Sequence, residues 1–337
     1  MKSALYQEPL QRYQLKCTLC PHYCIIGDGK AGRCHVRENI KGDLFLKTYG
    51  IVSSMNFDPI EKKPLYHFFP GKYIFSIGSY GCNLKCRFCQ NWEISQSVPE
   101  NLHQLKHYSP EELVAVATQR KDNIGIAYTY NEPIVWFEYM ADIARLAKKK
   151  NLKNVMITNG FINPEPLSEL LGLMDAFNVD LKAFTEDFYR TQTLSTLEPV
   201  KNTLLQIRQS GKHLEITNLI IPGLNDQKNT FSEMVKWIAG KLGQDTILHL
   251  SRYFPNYRLN QSATPYEKLT EFYEIAKQHL NYVYLGNVGA ENEADTRCPT
   301  CGNLLISRTR YDAHLTGIDK HNSCMKCGTK IPGDFRL

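Results

Sequence analysis

The sequence predicts an α/β fold: a partial (β/α)6 barrel, open on one side, with a small cysteine-rich module before it and a zinc-ribbon-like module after it. Three observations carry this expectation. Through the middle of the chain, β-rich runs alternate with amphipathic helical runs, the pattern of βα units around a parallel sheet. The 11 cysteines fall into three groups, four near the start, three in the middle and four near the end. The 337 residues, 42% hydrophobic and 22% charged, suit one large domain with small additions. The expected divisions are 1–45, 46–287 and 288–337.

Strands are expected at residues 73–78, 124–129, 154–158, 176–181, 213–221 and 246–250, and a further run at 282–286 closes the series. Helices fall between them. One opens on Ser109, Pro110 and Glu112, which read as N-cap, first helical position and capping-box partner. Another, at 265–280, places Leu269, Phe272, Tyr273 and Ala276 on one face as a core stripe. About six βα units are too few for a closed eight-stranded barrel but suit a partial one, whose gap would admit a large substrate. No repeat, low-complexity tract or Gly/Ser-rich linker interrupts the chain, so the cysteine modules are expected to pack against the barrel.

The formal charge of +6 is spread along the chain, and its densest basic stretch, 147–154, reads as a helix end complementing the helix dipole. No nucleic-acid partner is expected from it. The amino-terminal residues contain no apolar signal core, and no apolar run approaches the ~20 residues of a membrane span, so a cytoplasmic location away from membranes is expected. Cysteines in that compartment stay reduced, which makes metal ligation the better explanation of the three groups.

The segment SIGSYGCNLKCRFCQNW runs from the first expected strand into a loop carrying Cys82, Cys86 and Cys89 in C-x-x-x-C-x-x-C spacing. The loop lies at the strand end where barrel folds place their active sites. Three thiolates on one short loop can hold three irons of a 4Fe-4S cubane and leave the fourth open to an outside ligand. Gly81 would permit close backbone approach, and Phe88 and Trp92 would shield the cluster. The alternative is a zinc site that borrows a distant histidine such as His103.

GCNLKCRFCQN resembles the cluster motif of the radical S-adenosylmethionine (SAM) superfamily. The likeness extends to DPIEKKPLYHFFPG before the cluster, TYNEP at 129–133, ITNGF at 157–161, VDLKAF at 179–184, NLIIPGLND at 218–226 and HLSRYFP at 249–255. Together these resemble the group related to pyruvate formate-lyase activating enzyme and, more narrowly, the radical SAM member of the AmmeMemoRadiSam system. The resemblance implies an iron that binds SAM, reductive cleavage of SAM to methionine and a 5′-deoxyadenosyl radical, and hydrogen abstraction by that radical. It also implies a flavodoxin or ferredoxin as electron donor and protein partners of the Memo and AMMECR types.

The same resemblance implies site residues. Glu132 matches the Glu of a Gly-Gly-Glu-Pro segment that holds the SAM amino group, a task suited to charge-assisted hydrogen bonds; Tyr130 and Asn131 replace the two glycines. Read from the residues alone, Asn131 and Glu132 are an N-cap and a first-turn acid opening a helix at 133–150. Thr158, Asn159 and Gly160 would face the SAM carboxylate or ribose, or form an ordinary Asn-Gly turn. Ile157 replaces a cation-binding Asp of the activating enzymes, so no monovalent-cation site is expected. Asp180 and Lys182, the candidate catalytic residues, match an Asp-x-Lys segment, or form a salt bridge on one strand face. Leu219 and Ser251 align with positions near the adenine. Arg252 and Tyr253 are exposed candidates for substrate handling or else packing residues, and Lys62, Lys63, Tyr66 and His67 carry the resemblance without a physical role.

CPTCG and CMKCG place Cys298, Cys301, Cys324 and Cys327 in two knuckles 22 residues apart, a closed zinc-ribbon pattern with rubredoxin-like iron as alternative. Cys17, Cys20, Cys24 and Cys34 also have four-ligand spacing, which fits zinc or a second iron-sulfur cluster equally. Two rival functions remain beside radical SAM chemistry on an unidentified substrate: a glycyl radical enzyme activase, and a non-catalytic zinc or electron-transfer protein.

Overall fold

The computed structural model describes residues 1–288 and 294–336; residues 289–293, where the expected carboxyl-terminal module begins, and residue 337 lie outside the described residues. An eight-stranded sheet organises the chain: β1 (Ser54–Pro59), β2 (Tyr73–Gly78), β3 (Asn123–Tyr128), β4 (Lys153–Thr158), β5 (Ala176–Asp180), β6 (His213–Ile220), β7 (Ile247–Arg252) and β8 (Val283–Gly286). The strands lie side by side in chain order. β2 to β8 run parallel and β1 is antiparallel to β2, so the sheet stays open between β1 and β8. On the crossovers lie α1 (Pro110–Ala117), α2 (Phe137–Lys149), α3 (Pro164–Leu173), α4 (Glu198–Gln209), α5 (Lys228–Lys241) and α6 (Tyr266–Lys277). This is the partial, open α/β architecture expected.

Local chemistry explains the elements. Ser109 caps α1 through a complete capping box with Glu112, with Pro110 following. Leu269, Phe272 and Ala276 of α6 are buried, and Tyr273 packs partly against the same core. The strands read as near-continuous apolar runs because both faces are covered. Phe75, Ile77, Ile126, Met156, Phe177 and Val179 share one core with the helices. Ile74, Ala127, Val155 and Ala176, at alternate positions, meet Ile60, Leu65 and Phe68 instead.

The segment from Asp58 to His67 therefore has a structural role that its sequence did not disclose. Asp58 accepts from Lys63 Nζ at 2.7 Å, Lys62 Nζ at 3.0 Å and the Tyr130 hydroxyl at 2.8 Å. Burial opposes the Asp58 carboxylate, but those donors hold its pKa far below the usual range. The backbone N–H groups of Tyr66 and His67 donate to the buried Glu215 carboxylate at 3.0 and 2.8 Å. β1 was not expected: it is an edge strand whose SMNFDP sequence keeps two exposed residues and lacks a buried face.

Two small cysteine-bearing regions flank the sheet. At the amino end, short strands form two three-stranded sheets, one of which contains Asp43–Leu46 and so runs across the expected division at 45. Leu15, Cys17, Leu19, Cys34 and Val36 belong to the same core as the barrel helices. At the carboxyl end, Thr296–Arg297, Leu304–Thr309 and Asp312–Leu315 form a third small sheet over a separate core with Tyr66, Ile247, Tyr282 and Tyr284. No helix among the described residues is long and apolar enough to cross a membrane.

Candidate active site

β2 ends at Gly78 and hands the chain to the three-cysteine loop. Asn131 grips this loop: its Oδ1 accepts from Ser79 N–H at 3.0 Å and from Trp136 Nε1 at 3.2 Å, and its Nδ2 donates to Gly81 O at 2.8 Å. On the other side, Lys85 N–H donates to Thr193 O at 2.9 Å, Arg87 N–H to Gln192 O at 3.0 Å, and Arg87 O accepts from Arg258 N–H at 2.9 Å. Cys82, Cys86 and Cys89 are free thiols, the first two buried and the third half-buried. Burial pushes the Cys82 thiol well above its ordinary range, Cys86 up to about 12 and Cys89 upward. Thiols so placed ionise when metal cations offset the desolvation, which is the chemistry of an iron-sulfur site.

Glu132 stands beside this loop at the end of β3. Its Oε1 accepts from Thr158 Oγ1 at 2.7 Å and Ile134 N–H at 3.2 Å, and its Oε2 from Asn159 N–H at 2.8 Å. Only 4% of the residue is exposed, and no ion pair reaches it among the described residues. Burial is the largest influence and lifts its pKa to about 7, against those three hydrogen bonds. A cationic ligand group would complete this carboxylate, so the residues fit the ammonium of SAM. Glu132 is itself the N-cap of the 3-10 turn Pro133–Trp136, and α2 follows it; Asn131, the cap expected from the sequence, is engaged by the cluster loop instead.

Further strand ends converge on the same place. Asn159 Nδ2 lies 2.9 Å from Asn83 Oδ1 and 3.7 Å from Cys82 Sγ. Lys182 Nζ forms a 2.8 Å ion pair with Asp180 and lies 5.9 Å from the Phe88 ring centroid. Burial opposes its charge, but Asp180 and Cys86 outweigh that and raise the Lys182 pKa. The salt-bridge reading of Asp180 and Lys182 is thus observed, and the pair faces the cysteine loop. Leu219 and Ser251 are partners across β6 and β7, and Ser251 accepts from Asn287 Nδ2 at 3.0 Å; among the described residues neither bonds to the loop.

Three expectations change. Tyr253 is 1% exposed, its N–H and hydroxyl bound to Thr264 Oγ1 and Leu259 O, so it is a packing residue. Trp92 stacks on Tyr257 with centroids 5.2 Å apart and remains partly exposed, so shielding falls to buried Phe88. His103 sits on the 3-10 turn Leu102–Gln104 as an exposed residue, away from a fourth-ligand role. Sequence reasoning missed the loop-holding roles of Asn83 and Asn131, whose partners Asn159 and, on the loop, Ser79 and Gly81 lie 76, 52 and 50 positions away; the local signal was their place beside the motif residues.

At the carboxyl end, the Sγ atoms of Cys298, Cys301, Cys324 and Cys327 lie within 4.8 Å of one another, with Cys298–Cys327 at 3.5 Å and Cys301–Cys324 at 3.7 Å. Tetrahedral ligation at ordinary metal–sulfur lengths puts sulfurs about 3.8 Å apart, so this group has the geometry of one zinc or iron ion. The Thr329 hydroxyl lowers the exposed Cys327 thiol to about 6.

Comparison with known proteins places these features in context. The Radical SAM superfamily model matches residues 76–238. An uncharacterized protein of Methanocaldococcus jannaschii is 42% identical over 334 residues, 98% of this chain and 99% of its own length. The pyruvate formate-lyase-activating enzyme of Clostridium pasteurianum is 23% identical over 166 residues, 47% of this chain and 66% of its own. The crystal structure of a radical SAM methyltransferase from Sphaerobacter thermophilus has a TM-score of 0.51 at 15% identity, covering 70% of this chain and 71% of that one, a likeness of fold.

Proposed function

The chain belongs to the radical SAM superfamily, and on that premise we propose that it cleaves SAM reductively at a 4Fe-4S cluster held by Cys82, Cys86 and Cys89, for hydrogen abstraction from a substrate yet to be identified. The observation that carries this reading is the meeting of Cys82, Asn159, Thr158 and Glu132 at the ends of adjacent parallel strands. When bound, the reduced cluster supplies the electron that breaks the C5′–S bond of SAM, giving a 5′-deoxyadenosyl radical.

The residues have the following tasks in this proposal. Glu132 binds the SAM ammonium, and the donors from Thr158, Asn159 and Ile134 hold the carboxylate in place. Asn131 and Asn83 fix the loop so that the three sulfurs keep their arrangement. Asp180 and Lys182 place opposite charges beside Phe88 at the mouth of the site, where Lys182 orients substrate or SAM carboxylate. Leu219 and Ser251 line the adenine side. The carboxyl-terminal cysteines hold structural zinc, the donor is a cytoplasmic flavodoxin or ferredoxin, and Memo- and AMMECR-type proteins act as partners. A second reading, activation of a glycyl radical enzyme, draws on the likeness to an enzyme of that kind.

An anaerobic assay for 5′-deoxyadenosine tests the proposal, with iron-sulfide-reconstituted protein, dithionite and SAM. Product is expected from the wild type and none from the Cys82→Ala/Cys86→Ala/Cys89→Ala protein; no product from a protein holding a reducible central cluster favours the non-catalytic rival. Glu132→Ala should keep the cluster and bind SAM at least tenfold more weakly. Deuterium passing from a glycine of a protein substrate into 5′-deoxyadenosine would select the activase reading.

A further inference from the structure

Within the amino-terminal module, Cys17, Cys20, Cys24 and Cys34 all line one small, mostly apolar pocket. In contrast to the carboxyl-terminal group, no three of these sulfurs gather within 4.8 Å among the described residues. A single tetrahedral ion would need them about 3.8 Å apart. A cubane bears its thiolates on four separate irons and needs both the wider spacing and an enclosed volume. Leu19, Ile26, Ile134 and Val135, all buried, supply apolar lining beside the cysteines.

Arg37 supplies an independent sign of an anionic occupant. It is 1% exposed, lines the pocket, and is paired through Nη1 and Nη2 with Glu138 at 2.9 and 3.0 Å, yet its Nε has no hydrogen-bond partner. A buried N–H left unmatched beside four cysteines is costly unless something accepts from it.

We propose that Cys17, Cys20, Cys24 and Cys34 hold a second 4Fe-4S cluster, closed by four protein thiolates and seated directly against the loop of the first. With no open iron it binds no SAM, and its chemistry is one-electron transfer. Contact with the central loop is immediate. A Cβ built on Gly81 would lie 2.5 Å from Cys34 O, and His22 Nε2 is 2.8 Å from Asn83 O, one residue after Cys82. In this arrangement a reduced ferredoxin or flavodoxin gives one electron to the outer cluster, which passes it inward and returns to its oxidised state.

The test uses the full chain, reconstituted anaerobically with iron and sulfide, as wild type, as Cys82→Ala/Cys86→Ala/Cys89→Ala, and as that protein with Cys20→Ser added. The triple variant is expected to keep about half the wild-type iron and acid-labile sulfide, with a dithionite-reduced EPR signal that SAM leaves unchanged. Adding Cys20→Ser should remove that signal while the carboxyl-terminal metal stays bound, which reports a folded chain. Fully reduced wild type should show spin coupling between neighbouring clusters. A triple variant free of sulfide, binding a zinc that Cys20→Ser removes, would overturn the proposal. Because the triple variant lacks the central cysteines, this result stands or falls separately from SAM cleavage.

Discussion

At the amino end of the chain, four cysteines are packed into the main core, against the loops that follow β2 and β4, where Asn163 Nδ2 donates to Thr18 O at 2.7 Å. At the carboxyl end, four cysteines draw together at the surface of a separate small core, docked where β6, β7 and β8 begin. The first module joins the ends of the strands that carry the candidate active site; the second closes the opposite ends. The contacts differ in kind as well. Arg37 and Glu138 tie the amino module to α2 by a buried ion pair, whereas Arg308 ties the carboxyl module down through Tyr66 O at 2.6 Å and a cation–π contact 4.4 Å from the Tyr66 ring. One set of cysteines lies against the loops of the candidate site and the other against the opposite end of the sheet, and each difference can be probed by matched perturbations.

The largest contrast is expected from a zinc chelator. Structural zinc contributes about 10 kcal/mol or more to a small module, and Cys327 is exposed, so chelation should unfold the carboxyl module while the central cluster spectrum survives. Limited proteolysis after chelation should cut within 294–336; cutting first near the amino end would break the contrast. Next in size is Arg37→Ala, which strands Glu138 in the core at a cost of about 3–5 kcal/mol. It should reduce thermal stability and iron content together. Arg308→Ala, which removes hydrogen bonds from Tyr66 O, Ala294 O and Thr296 Oγ1, should cost about 2–3 kcal/mol and leave iron content unchanged.

A third pair tests the two docking contacts directly. Gly81 has φ +84° with Cys34 O in the way of any Cβ, and Gly71 has φ +77° with Ala313 O 2.6 Å from its would-be Cβ. Alanine at either position should cost about 2 kcal/mol through strain and displaced backbone. Gly81→Ala is expected to lower iron loading and Gly71→Ala to lower only the melting temperature. Equal effects on iron would mean that the modules are not functionally distinct.

How much of this was readable follows from the range of the forces involved. β2 lies at the residues expected because an apolar run buried on both faces carries its own signal, and the α1 capping box is complete within four residues. Glu132 was legible as a carboxylate at a strand end, but its partners Thr158 and Asn159 belong to the next βα unit. Asn131 read as a helix cap because a side chain bonding residues 50 positions away leaves no periodic trace. Tyr253 looked exposed in a polar stretch, and only the return of Leu259 and Thr264 over it makes it core. The polar centre around Glu215 was invisible for the same reason: its donors come from Tyr66, His67, His213 and His249.

That polar centre gives the smallest expected effect, and it separates the two ends by pH. His67 is fully buried beneath the carboxyl module, its Nδ1 2.8 Å from Pro332 O and its Nε2 2.6 Å from the Tyr284 hydroxyl. Burial lowers its pKa from 6.5 to about 3, against the favourable field of Glu215. Between these values the unfolded chain binds a proton that the folded chain refuses, so stability falls as pH drops through about 6.5 and continues to fall toward 3. For this one group the loss at about pH 5, relative to neutral pH, is about 2 kcal/mol. Glu215, whose pKa is held well below its ordinary value by His213 and His249 against burial, adds a loss of the same sign further into acid. Urea midpoints measured from about pH 7 to 5 should fall in wild type and fall less steeply in His67→Gln, whatever the absolute stability of the variant. Parallel slopes would mean that His67 is not held neutral, and that the carboxyl module docks less tightly on the sheet than its hydrogen bonds require.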